Sequence, residues 1–180
     1  MLKPPVHDDD HVAGPADAPV TLVEYGDYQC PHCALAHPRV KAIQKQFGDR
    51  LRFVFRNFPL SEAHPDAMHA AESAESVAVS AGDTAFWKMH DILFEHQQDD
   101  LDALDDAHLV RYAVEAGANA EQVERDLSGE VHEKRVRADF MSGVRSGVNG
   151  TPTFFLNGVR YNGDWSTVSS FASDIEAAIG

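Results

Sequence analysis

The sequence predicts an α/β chain in which two strand-bearing segments flank a helical block, and three observations predict it. Short runs of β-branched and aromatic residues stand at 20–25, 51–56 and 153–161. Between about 62 and 147 every apolar pattern instead repeats at helical spacing. The first two strands enclose one helical run, a unit that normally means parallel strands joined by a right-handed crossover.

In chain order, residues 1–19 are polar and carry Asp8-Asp9-Asp10, Gly14 and Asp17 among several prolines, which reads as an arm followed by a turn. Val20-Thr21-Leu22-Val23-Glu24-Tyr25 reads as a buried strand closed by Gly26 and Asp27. From Pro31 onward, Ala36, Val40, Ile43 and Phe47 share a helical face, and Gly48 stands at the expected C-terminal cap. Pro31 suits the first helical turn, where its missing N–H would have no partner anyway. Leu51-Arg52-Phe53-Val54-Phe55-Arg56 is a second strand, ending before Pro59.

The helical block should hold three to five helices. Their apolar faces are Phe86, Met89, His90, Leu93 and Phe94; Leu109, Tyr112, Ala113 and Ala116; Val123, Leu127 and Val131; and Phe140, Met141, Val144 and Val148. Thr153-Phe154-Phe155-Leu156, an Asn157-Gly158 turn and Val159-Arg160-Tyr161 form a hairpin signal, because Asn-Gly accepts the positive φ of a type I′ turn. A last helix, capped by Ser166 or Asp164, buries Val168, Phe171, Ile175 and Ile179. The expected organisation is an arm at 1–15, one domain built from 16–61 and 148–180, and an inserted helical subdomain at 62–147.

Charge removes several function classes. Fifteen basic against 29 acidic side chains give a net charge of −14, which lacks the clustered cations that phosphate backbones or acidic lipid surfaces require. Nearly all of the excess acidity lies at 60–129, whereas 20–59 is mildly basic. No apolar run has the roughly 18 to 20 residues of a membrane span. No apolar signal core follows Lys3, so a cytoplasmic location is expected, or a periplasmic or extracytoplasmic one if a leader has been removed. The chain has no Gly-rich phosphate loop, Gly-x-Ser-x-Gly elbow or His-Glu-x-x-His.

Cys30 and Cys33 are the only two cysteines. A disulfide framework is therefore impossible, and a loop this short adds little stability by chain entropy, so a redox or a metal role is left. Cys30 precedes a helix whose unpaired N–H groups and dipole favour a thiolate, and His32 adds to that tendency.

The segment Glu24-Tyr25-Gly26-Asp27-Tyr28-Gln29-Cys30-Pro31-His32-Cys33 resembles the active-site segment of the DsbA-like thiol:disulfide oxidoreductases. Phe55-Arg56-Asn57-Phe58-Pro59-Leu60 and Gly147-Val148-Asn149-Gly150-Thr151-Pro152-Thr153-Phe154-Phe155 match two further segments of that family. The resemblance covers about residues 16–180 and implies a thioredoxin fold, with its β-α-β and β-β-α halves split by the helical insertion.

It also implies that Pro152 is cis and that Thr151 and Pro152 form the wall on which a substrate peptide lies. Thr151 departs from the valine associated with the strongest oxidants of the family. The reaction it implies is exchange of the Cys30–Cys33 disulfide with thiols of unfolded or thiol-containing proteins, through a mixed disulfide on Cys30 and in the oxidising direction. Pro31 and His32 would tune the thiols, and Glu24 would relay the proton of Cys33. No cofactor beyond the disulfide is expected, and the chain is expected to act as a monomer with an unidentified redox partner. Three other readings stay open at this point: a cytosolic disulfide reductase, a zinc module using Cys30, Cys33 and His37, and a peptide-binding module whose groove is lined by Phe58, Phe86, Trp87 and Phe94.

Overall fold

A computed structural model describes residues 1–180. Its strands are β1 (His11–Ala13), β2 (Val20–Gly26), β3 (Leu51–Asn57), β4 (Thr153–Leu156) and β5 (Val159–Arg160). Its α-helices are α1 (Pro31–Phe47), α2 (Ala67–Ala81), α3 (Asp83–His96), α4 (Asp106–Ala116), α5 (Ala120–Ser128), α6 (Glu133–Ser146) and α7 (Val168–Ile179). The five strands form one sheet in the order β1-β3-β2-β4-β5. β2 and β3 pair in parallel, with Glu24 opposite Phe55. β4 runs antiparallel to β2, with Glu24 opposite Phe154.

The alternation of a strand sorts β2 onto two faces. Val20 and Leu22 join the main core with Cys33, Ala36, Val40 and Ile43 of α1 and with Phe171 and Ile175 of α7. Val23 and Tyr25 join a smaller core with Val54, Phe58, Val148 and Phe155. Glu24 shares the parity of Val20 and Leu22 and so faces the side that carries α1.

Five helices, α2 to α6, lie between β3 and β4. The end of β3 anchors them through polar contacts. Asn57 donates its backbone N–H to Asp139 on α6 at 3.0 Å and its side-chain amide to Glu75 on α2 at 2.8 Å. Tyr25 and Ser142 of α6 share a hydrogen bond of 2.8 Å.

Several expectations need correction. His11–Ala13 of the polar arm pairs antiparallel with β3. Asp10 grips Arg56 through two bonds of 2.7 and 2.8 Å, and the carbonyls of Pro4 and Pro5 accept from the same buried guanidinium at 3.1 Å. The arm is therefore packed, because the cation buried in β3 needs acceptors that the sheet itself does not provide.

Of the apolar face expected on and beyond α6, Phe140 and Val148 pack on the smaller core, but Met141 and Val144 are exposed. The buried stripe is Val136, Asp139, Ser142, Gly143 and Ser146, because this helix must answer Asn57 and Tyr25 and approach closely. A Cβ on Gly143 would stand 2.6 Å from the Phe58 ring. Val131 lies beyond α5 and is exposed. Tyr161 follows β5 instead of extending it. The cap of α7 is Thr167, whose side chain accepts from the Ser170 N–H at 3.2 Å, while Asp164 accepts from the Ser166 N–H in the preceding turn. Asn157 and Gly158 both have positive φ, 49° and 80°, as the hairpin turn requires.

Candidate active site

Cys30 occupies the N-cap position of α1, with extended backbone angles and no side chain capping the helix, and Pro31 follows in the first turn. The first N–H groups of the helix are thus available to the Cys30 sulfur. The two cysteines are free thiols, Cys30 only 4% exposed and Cys33 completely buried one turn further along.

The environment drives the two thiols apart. The Cys30 pKa falls from its ordinary 9.0 to about 5. The largest cause is the hydrogen bond from Cys33; burial opposes the shift, and Thr151 and the backbone N–H groups of Cys33 and His32 support it. Cys33 is pushed well above 9.0 by its own burial first, then by the bond to Cys30 and by the negative charge of Glu24 and Cys30. One thiol is built to be an anion at neutral pH and its neighbour to hold a proton.

The Thr151–Pro152 peptide is cis. The Thr151 carbonyl accepts from the Cys30 thiol at 3.5 Å, and the buried Thr151 hydroxyl has no hydrogen-bond partner of its own. The Thr151 backbone, distant in sequence, thus meets the Cys30 sulfur. Pro31 and His32 are exposed beside it.

Glu24 is 2% exposed and its Oε1 lacks any partner. Burial, with a smaller push from the Cys30 charge, lifts its pKa to about 8. A carboxyl in this state can give or take a proton near neutral pH.

The loop carrying Cys30 is braced by residues that sequence reasoning missed. Asp27, read there only as a strand terminator, accepts from the N–H groups of Gln29 at 2.7 Å and Leu60 at 2.8 Å, and lies 2.7 Å from His64 Nδ1. Gln97, just after α3, donates to the carbonyls of Tyr28 at 2.9 Å and Cys30 at 3.2 Å. Gln29 and Asp66 exchange two hydrogen bonds of 2.9 and 2.8 Å. A turn-forming aspartate is a signal that could have been followed; nothing in Gln97-Gln98-Asp99-Asp100 pointed to the thiols.

The alternative ligand set does not assemble. The thiols join no cluster of three ligand atoms, and His37 turns instead toward His90 and Asp91 on α3. Phe58, Phe86 and Phe94 are core residues and Trp87 packs against the core, so they line no open groove.

A family model described as Thioredoxin matches residues 7–176. Among solved structures, oxidised BdbD from Bacillus subtilis superposes with a TM-score of 0.85 at 28% identity, covering 94% of this chain and 92% of that one. Wolbachia pipientis alpha-DsbA1 gives 0.82 at 19% identity over 97% and 93% of the two chains, a likeness of fold. In sequence, the chain is 42% identical over 173 residues to a protein named Na(+)/H(+) antiporter NhaA 1 from Mycolicibacterium vanbaalenii, covering 94% of this chain and 27% of that protein. It is 39% identical over 180 residues to Na(+)/H(+) antiporter NhaA 3 from Salinispora tropica, covering 96% and 26%. The chain thus spans about a quarter of the length of these relatives. The family match, the BdbD likeness and the Cys-Pro-His-Cys helix end together place the chain in the thioredoxin family, as a DsbA-like member.

Proposed function

We propose that the chain oxidises protein dithiols by exchanging a Cys30–Cys33 disulfide with them. The observation that carries the reading is the place of Cys30 at the N-cap of α1 with the Cys33 thiol one turn on, an environment that lowers the Cys30 pKa to about 5 and favours the reduced pair with Cys30 ionised. Stabilising the reduced form makes the disulfide a stronger oxidant.

A substrate thiolate attacks Cys30 Sγ, the Cys30–Cys33 bond breaks, and Cys33 leaves with the electron pair. Cys33 takes a proton from the buried Glu24 carboxyl, whose pKa of about 8 suits that transfer. The second substrate thiolate then attacks the substrate sulfur of the mixed disulfide, and Cys30 leaves as its stabilised thiolate. Two electrons have passed from substrate to protein. Of the two substrate protons, one ends on Cys33 after passage through Glu24 and one goes to solvent. Thr151 and Pro152, over Cys30, are the surface on which the substrate backbone lies, and Pro31 and His32 shape its approach.

An electron-accepting partner must reoxidise the pair. Such an oxidant works in an oxidising compartment, which favours a periplasmic or extracytoplasmic location. No helix is long and apolar enough to cross a membrane. The antiporter-named relatives carry a matching segment within much longer polypeptides, which favours work beside a membrane protein.

Equilibration with glutathione at pH 7 tests the direction. The expected potential lies well above the roughly −270 mV of thioredoxin, and a value at or below that figure assigns the chain to the reductases.

A further inference from the structure

One turn beyond Cys33 on α1, His37 meets His90 and Asp91 of α3. One ligand-type atom from each lies within 4.8 Å of the other two, the only such group of three in the molecule. We propose that His37, His90 and Asp91 form a binding site for a divalent first-row metal ion of the zinc class, joining the thiol-bearing helix to the helical insertion.

The first support is an orphan. The His37 side chain is 8% exposed, and its Nε2 is buried with no hydrogen-bond partner, 3.4 Å from Asp91 Oδ1. Leaving such a nitrogen unsatisfied is costly unless something else occupies its lone pair. Two donors that each lie about 2.0–2.1 Å from a tetrahedral zinc stand about 3.4 Å apart, which is the spacing found here.

The second support is the donor set: two imidazoles and one carboxylate are the nitrogen and oxygen ligands that metal ions of this class take.

The surroundings orient the donors. His90 Nδ1 is 3.0 Å from the Tyr28 hydroxyl, which leaves Nε2 as its free nitrogen. Lys41 Nζ holds Asp91 Oδ2 at 2.7 Å and leaves Oδ1 toward His37. Partners of this kind fix ring tautomer and carboxylate orientation around metal ions. Asp91 is partly exposed, which gives an entry path.

The test uses the full chain in its oxidised form, so that the disulfide removes both thiols from competition. Equilibrium dialysis against zinc sulfate should give one tightly bound zinc per chain. Asp91→Asn and His37→Asn should each weaken binding at least tenfold, while His96→Asn, at the exposed His96–Asp99 pair, should leave it unchanged. Cobalt(II) should give the visible absorption of a tetrahedral site in the parent chain and lose it in Asp91→Asn. Absence of one-to-one zinc binding, or parental affinity in Asp91→Asn, overturns the proposal. Asp91 lies at the surface, so that variant decides the matter even where His37→Asn fails to fold.

Discussion

Replacing Cys33 by alanine isolates the interaction that makes Cys30 acidic. The Cys33 thiol is the largest cause of the fall from 9.0 to about 5. A hydrogen bond to a charged group is worth about 1.5–3 kcal/mol, and one pKa unit is about 1.36 kcal/mol, so the Cys30 pKa should rise by about 1–2 units in Cys33→Ala. Cys33→Ser keeps a donor at the same place and should hold the value within about half a unit of the parent. The pH dependence of iodoacetamide alkylation of the remaining thiol measures both variants directly.

The same interaction sets the relative stability of the two redox forms. At pH 7 a thiol of pKa about 5 is ionised through about two units, or about 2.7 kcal/mol. Solvent at the mouth of the site screens part of this, leaving about 1.5–2.7 kcal/mol, or about 30–60 mV of added oxidising power. Because the folded-state pKa is depressed, the contribution is complete only above the unfolded value near 9, partial at pH 7, and lost as pH falls through about 5. Urea denaturation should therefore find the reduced protein the more stable form at pH 7, by a margin that shrinks toward pH 5. An alanine variant whose Cys30 titrates with the parent, or a reduced form no more stable than the oxidised one at pH 7, would refute the reasoning.

Glu24→Gln should slow thiol exchange near neutral pH in stopped-flow assays while stabilising the fold by about 2–3 kcal/mol at pH 7. The sign follows from a raised folded-state pKa: between about 4.5 and 8 the native carboxyl holds a proton that the unfolded chain has lost, so stability falls with rising pH across that window. Asp10→Asn leaves the buried Arg56 guanidinium without its anion and should cost about 3–5 kcal/mol in urea denaturation. Gly143→Ala drives a methyl into the Phe58 and Tyr25 rings and should cost about 1–3 kcal/mol in thermal or chemical melts.

The sequence made legible whatever rests on local pattern. β2, α1 and β3 announced themselves by β-branched and aromatic runs around a helical period, and Asn157-Gly158 fixed the hairpin turn. The thiol pair and Glu24 were legible because a lone Cys-x-x-Cys at a helix start, and a carboxylate inside an apolar strand, are unusual chemistry at those places.

What pattern hid was what depends on distant partners. β1 is three residues in a polar segment and forms because β3 offers it a row of unpaired backbone groups. α6 buries serine, aspartate and glycine because it answers Asn57 and Tyr25, so an apolar-face rule found Phe140 and Val148 but also chose the exposed Met141 and Val144. Asp27 and Gln97 hold the Cys30 loop through backbone groups, which leave no trace in side-chain spacing. His37 was noticed for its distance from Cys33 along one helix, whereas its neighbours come from another.

The order of the sheet carries one more consequence. Its two outermost strands are three and two residues long, while the seven-residue β2 and β3 have neighbours on both sides. An extended chain arriving at either edge meets only a few unpaired amides and carbonyls, too few to template further strand addition. Under the proposed function, partly unfolded, thiol-bearing chains would bring that hazard at every encounter. Short edges would then let the protein exchange sulfur bonds with such chains without joining them in a growing sheet.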